Sequence, residues 1–133
     1  MISQMRIEHV ALWTEDLERL ASFYRDYFGV SVGEKYVNQV RGFESQFLSF
    51  KSGARMEIMR TTAFSPVKYE PAAQRMGLTH LAFAIGSEQR VDELTERLRR
   101  DGYAILDGPR RTGDGYYESV TLDPDGNRIE IAA

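Results

Sequence analysis

The chain contains two histidines, and each opens the same short pattern: His9-Val10-Ala11-Leu12 and His80-Leu81-Ala82-Phe83, 80 − 9 = 71 residues apart. A second pair of segments, Gly53-Ala54-Arg55-Met56-Glu57-Ile58 and Gly126-Asn127-Arg128-Ile129-Glu130-Ile131, repeats at an offset of 130 − 57 = 73. Nearly equal offsets on four landmarks mark a duplicated unit of about half the chain, each copy running from a His to a Glu. Two imidazole nitrogens and two carboxylate oxygens form a donor set whose two negative charges balance one borderline divalent metal ion, with positions left for water or substrate. Zn, Ni, Co, Mn and Fe(II) suit such a set, whereas Mg and Ca prefer all-oxygen shells. Either histidine alone reads equally well as a structural or solvated strand residue. Their equivalence in the repeat is what points to His9, Glu57, His80 and Glu130 as metal ligands.

The elements around these landmarks also repeat. In the first half Leu17, Leu20, Tyr24, Tyr27 and Phe28 recur at helical spacing, with Thr14 as the expected N-cap and Gly29 as the C-terminal stop. In the second half Ser87 caps a helix that carries Val91, Leu94 and Leu98 on one stripe and ends at Gly102. Strand-like runs follow each helix: 31–37, 46–50 and 55–59 in the first half, then 103–106, 117–122 and 128–131 in the second. Lys51-Ser52-Gly53 and Asp123-Pro124-Asp125-Gly126 have the chemistry of turns between antiparallel strands. Each half therefore reads as strand, helix, then three strands. Module one spans about 5–60 and module two about 78–133 of a single domain covering 1–133. Segment 61–77, with Pro66 and Pro71, reads as the linker.

Strand alternation fixes which way the polar residues point, because residues two apart share a face of a sheet. If Val10, Leu12, Leu81 and Phe83 pack on the helices, His9, Ala11 and Trp13 take the opposite face, as do His80, Ala82 and Ala84. The same parity sends Met56, Ile58, Ile129 and Ile131 inward and leaves Arg55, Glu57, Arg128 and Glu130 outward. A pseudo-twofold union of the modules lets the four candidate ligands converge in one concave cavity, with room beside the alanines. Trp13 lies on that side as a rim or packing residue.

Composition bounds the alternatives. At 133 residues, with 42% hydrophobic and 28% charged, the chain suits one globular domain. Lys+Arg 17 against Asp+Glu 20 gives a net charge of −3 without a basic stripe, which argues against nucleic acid as a partner. Cys 0 removes disulfides, thiolate ligands and cysteine nucleophiles. No apolar run reaches the roughly 18 residues of a membrane span, and the start of the chain lacks a signal-peptide pattern, so no membrane partner and a cytoplasmic location are expected.

From Ile7-Glu8-His9-Val10-Ala11-Leu12 through 17–29 to Asp123-Pro124-Asp125-Gly126-Asn127-Arg128-Ile129-Glu130, the chain resembles the vicinal oxygen chelate superfamily, which includes glyoxalase I and the bleomycin resistance proteins. The resemblance implies an α+β fold of two βαβββ modules whose strands form a partly open, eight-stranded metal-binding barrel. It also implies a small-molecule substrate and a homodimer. The set His9, Glu57, His80, Glu130 is similar to that of bacterial glyoxalase I, whereas extradiol dioxygenases and fosfomycin-resistance enzymes lack the ligand that Glu57 would supply. Glyoxalase I has an Arg four residues after its first ligand and an Asn four residues after its first Glu, both contacting glutathione. Trp13 and Thr61 stand there in this chain.

The resemblance thus implies a metal-dependent lyase or isomerase that removes a proton next to a metal-chelated carbonyl, with Glu130 as the base and Glu57 as its partner and ligand. Dependence on glutathione is not expected. The alternatives are an extradiol-type dioxygenase and a non-catalytic small-molecule binding or resistance protein.

Overall fold

A computed structural model describes residues 4–67, 70 and 73–133 of the chain. Part of the expected linker, including Pro71, lies outside the described residues. The chain divides after Val67 into two compact units. Each contains one helix packed on one sheet, which makes the fold α+β.

In the first unit, strand β1 (His9–Trp13) leads into helix α1 (Leu17–Phe28), followed by β2 (Ser31–Val32), β3 (Tyr36–Asn38), β4 (Phe43–Ser49) and β5 (Arg55–Thr61). Helix α1 is capped by Asp16, whose Oδ1 accepts from the backbone N–H of Arg19 at 3.0 Å. Thr14, the expected cap, instead accepts from the Asp16 N–H at 3.1 Å and shapes the turn that presents the true cap. A hydroxyl two residues too early cannot reach the first helical amides. The helix ends as expected at Gly29, whose φ of 68° is the left-handed conformation that favours glycine at this position. Leu17, Leu20, Phe23 and Tyr24 are buried on Leu48, Met56 and Ile58 of the sheet.

The sheet order is β1-β5-β4-β2, with β3 also on β4. The single run expected at 31–37 is split because the partners Val32↔Leu48 and Tyr36↔Ser45 set four residues of one strand against three of the other. One extra residue is a β-bulge, and it reverses which face the following side chains take. Val32 therefore stands opposite Leu48 on the helix side, while Tyr36 stands opposite Ser45 on the open side.

The second unit contains β6 (Leu81–Ala84), α2 (Glu88–Arg100), β7 (Ile105–Arg111), β8 (Tyr117–Leu122) and β9 (Arg128–Ala132), with sheet order β6-β9-β8-β7. Ser87 caps α2 as expected, its Oγ accepting from the Arg90 N–H at 3.2 Å. The strand expected at 103–106 lies further along, because Tyr103 is still tied to the helix end through its N–H to the Leu98 carbonyl. Val91, Thr95 and Leu98 are fully buried against Ser119, Thr121, Ile129 and Ile131. Leu94 is only half-buried, and Thr95 takes the place in the stripe that Leu94 was expected to fill. The Thr95 hydroxyl donates to the Val91 carbonyl at 2.6 Å and lies 2.7 Å from the Ser119 hydroxyl, so these buried polar groups are partnered.

Both β4–β5 and β8–β9 are antiparallel, joined at the two expected turns. At the second turn the buried Asp123 accepts from the backbone N–H groups of Asp125 and Asn127, each at 2.9 Å, and from the Asn127 side chain at 2.9 Å. That clamp sets the start of β9, and therefore the height of Glu130 along it. Among the described residues, no helix is long and apolar enough to cross a membrane.

Candidate metal centre

The two units place their His and Glu in the same register. In the first, β1 runs parallel to β5 with Ala11 opposite Glu57; in the second, β6 runs parallel to β9 with Ala82 opposite Glu130. Each His therefore sits two residues before the alanine that faces the Glu, and parity puts His and Glu on one face. An alanine opposite the carboxylate leaves space that a larger residue would fill.

The side chains meet accordingly. His9 Nε2 lies 3.7 Å from Glu57 Oε1, and His80 Nε2 lies 3.2 Å from Glu130 Oε2. The other ring nitrogen is held in each case by the residue just before the histidine: His9 Nδ1 by Glu8 Oε1 at 3.2 Å, and His80 Nδ1 by Thr79 Oγ1 at 2.9 Å. An outer partner on one nitrogen fixes the ring and aims the other, the usual support of a metal-ligating histidine. The His9 ring also packs edge-on to Phe47 at 5.5 Å between centroids, and Phe47 carries the Arg55 guanidinium 4.0 Å above its ring. Arg55 is tied in turn to Glu8 Oε1 at 2.5 Å, which draws the Glu8 carboxyl below its ordinary value. Each unit thus forms one oriented His–carboxylate pair. Among the described residues, no three His, Asp or Glu side chains stand grouped as a ready metal cluster.

The donor chemistry fits a borderline divalent ion, since each pair offers one imidazole nitrogen and one carboxylate with no thiolate. The pattern of the Glyoxalase/Bleomycin resistance protein/Dioxygenase superfamily matches residues 6–131. The chain belongs to this superfamily. An uncharacterized protein of Bacillus subtilis (strain 168), YqjT, is 32% identical over 131 residues, covering 96% of this chain and 98% of that protein. Among solved structures, the trypanothione-dependent glyoxalase I of Leishmania major is 23% identical with a TM-score of 0.75, covering 97% of this chain and 86% of that one. A glyoxalase family protein from Enterococcus faecalis is 22% identical with a TM-score of 0.75 and full coverage of both chains. The structural likenesses carry the glyoxalase-like fold, with its two sheets left open.

Other residues around the two pairs appear only in the structure. Glu118, on β8, shares the open face with Glu130; burial first, and then the neighbouring Glu130, push the Glu118 carboxyl above its ordinary value. Its Oε2 is buried without a hydrogen-bond partner. Alternation along 117–122 was the available signal, since it sets Glu118 on the face opposite the buried Ser119 and Thr121. Glu8 and Thr79 were detectable as polar residues preceding both histidines, but nothing in the pattern said which way the rings turn. Arg128 pairs across to Leu122, two residues before Glu130 on the same face. Trp13 and Thr61 both lie on the open face of the first sheet, as parity requires.

Proposed function

We propose that this chain is a metal-dependent lyase or isomerase that abstracts a proton beside the carbonyl of a small chelating molecule. His9, Glu57, His80 and Glu130 are the ligands of a divalent ion in this reading. The observation that supports it is the equivalence of the two pairs, each with its imidazole aimed by an outer partner on Nδ1. When bound, the ion polarises a chelated carbonyl and stabilises the negative charge that proton loss creates. Glu130 takes the proton, and Glu118, its neighbour on the same face of the sheet, orients the Glu130 carboxylate. Glu57 stays a ligand. Ala11 and Ala82 leave the substrate its space.

A homodimer belongs to the same proposal. Among the described residues each sheet ends in strands paired on one side only, β1 and β2 with β3 in one and β6 and β7 in the other, and sheet edges are commonly covered by association. Sedimentation at micromolar concentration should show a species of twice the 15.2 kDa chain, and a monomer alone contradicts this part.

The deciding experiment is metal analysis of protein purified without chelators, followed by assays with a hemithioacetal, a catechol and an α-proton donor. About one divalent ion per chain and proton exchange in the α-proton donor are expected. Full metal occupancy in a His9→Ala, His80→Ala double variant overturns the ligand set, and oxygen uptake with the catechol overturns the lyase reading. With Trp13 and Thr61 beside the first half-site, turnover of a glutathione hemithioacetal should fall well below the ordinary enzymatic range of roughly 10⁴–10⁸ M⁻¹s⁻¹ in kcat/KM.

A further inference from the structure

One end of the open face in the first unit is built from aromatic rings. Trp13 meets Phe64 at 5.0 Å and Phe43 at 6.2 Å between centroids, nearly perpendicular to both, and Tyr36 meets Phe43 at 6.2 Å. These rings are presented rather than buried: Trp13 is 47% exposed, Phe64 54% and Tyr36 55%. Three local devices bring them together. Parity along β1 puts Trp13 on the face of His9 and Ala11. The bulge between Val32 and Tyr36 turns Tyr36 onto that face. The loop bearing Phe64 is pinned by the Thr62 N–H on the Gly42 carbonyl at 3.0 Å, and Gly42, at φ 61°, has no room for a Cβ beside the Thr62 side chain.

The duplicated module shows that the fold does not require this cluster. The offset that carries His9 to His80 carries Trp13 to Ala84, 13 + 71 = 84, and β6 pairs with β9 just as β1 pairs with β5. A ring at that position serves something other than the packing of the repeat. Charge separates the two ends of the face as well. His9, Arg55 and Glu57 lie at one end, whereas Trp13 stands opposite Met59 and Phe43 opposite Thr61. Glu57 is opposite Ala11, so Trp13 is its diagonal neighbour on the adjacent strand.

From this placement we infer that Trp13, Phe43, Phe64 and Tyr36 form a subsite for an aromatic or other flat apolar group of the substrate. That group sits about one ring length from the oxygens held at the His9–Glu57 pair. The inference rests on the proposed function of that pair and adds the substrate class: a chelating carbonyl compound with an aromatic arm in place of a multiply charged one. Edge and face contacts with several rings favour a planar apolar group.

Trp13 is the one tryptophan of the chain, so its emission reports the subsite directly. Benzohydroxamate and acetohydroxamate present the same two chelating oxygens and differ in the ring. On Zn-loaded protein, calorimetry should show benzohydroxamate binding about tenfold tighter, with a change in Trp13 emission that acetohydroxamate does not produce. Phe64→Ala and Trp13→Ala should each remove most of that preference while leaving acetohydroxamate affinity unchanged. A preference that survives both substitutions overturns the inference. A second titration, of 1-naphthol into chelator-treated protein, reads the rings without the ion. A saturable emission change that Phe64→Ala abolishes is expected, and no saturable change overturns the subsite even if metal binds. Loss of hydroxamate binding with retained 1-naphthol binding would count against the metal proposal alone. An emission change that follows protein concentration in place of ligand assigns the rings to an interface between copies, and also overturns the inference.

Discussion

Glu8 holds Nδ1 of His9 at 3.2 Å and, through the same Oε1, the Arg55 guanidinium at 2.5 Å, so one exposed carboxylate orients both the histidine and the cation that covers Phe47. The equivalent place in the second module is filled by a neutral hydroxyl, Thr79. The two His–Glu pairs share a geometry but differ in the charge behind the ring. A carboxylate behind an imidazole raises its basicity and strengthens its hold on a metal.

Replacing Glu8 should therefore weaken metal binding without touching a proposed ligand. Glu8→Ala is expected to lower affinity by roughly 10–100-fold in a chelator competition, the usual scale for outer partners. Glu8→Gln keeps an acceptor for Nδ1 but removes the charge, so it should lose a large part of the same affinity. An unchanged affinity in Glu8→Gln would show that the contact with the ring, and not the charge on Glu8, is what matters.

Much of this arrangement is readable from residue types alone. The His-to-Glu repeat, both helices, the two turns and the facing of Glu57 and Glu130 follow from periods of 3.6 and 2.0 residues, which depend only on local geometry. What was not legible involves contacts between distant segments. The bulge that turns Tyr36 depends on its register with Ser45, and the helix cap moved to Asp16 because Thr14 is spent on the preceding turn. Thr95 lay outside the stripe expected for α2. The Val91 carbonyl and the Ser119 hydroxyl make its burial tolerable.

That buried pair yields a stability prediction. Thr95→Val keeps the side-chain shape but leaves the Ser119 hydroxyl without its partner, which should cost about 1–3 kcal/mol in urea denaturation. Ser119→Ala added to Thr95→Val removes the orphaned group and should recover part of the loss. Strict additivity of the two changes would show that the hydroxyls do not interact.

A second contact ties α2 to β8 at the surface: the Tyr117 hydroxyl donates to Asp92 Oδ1 at 2.6 Å. The Asp92 bond, and then burial, raise the Tyr117 hydroxyl above its ordinary value of 10.0. A raised value in the folded chain means that the contribution is complete below pH 10 and fades as pH rises through the folded value. Tyr117→Phe should thus be less stable than the parent at pH 7–9, with the gap closing above about pH 10. A gap that widens in alkali would reverse the assigned role of the bond.

The two carboxylates of the proposed centre can be told apart by their surroundings. Glu57 has Ala11 opposite it on one side and Phe47 on the other, whereas Glu130 faces Ala82 and Val120 and has Glu118 beside it on the same face. A base must reach the substrate carbon and still be steered, and Glu130 has a polar neighbour that can steer it. Glu130→Gln preserves size and an oxygen donor, so the variant should retain metal while proton exchange at the substrate carbon falls by roughly 10²–10⁴-fold, the scale of general-base catalysis. Glu57→Gln should alter metal affinity more than exchange per bound ion. Glu118→Ala should lower kcat with little change in KM or metal content, because it changes the aim of Glu130 and not substrate binding. Undiminished exchange in metal-loaded Glu130→Gln would transfer the role of base to Glu57, and an unaltered kcat in Glu118→Ala would remove Glu118 from the reaction.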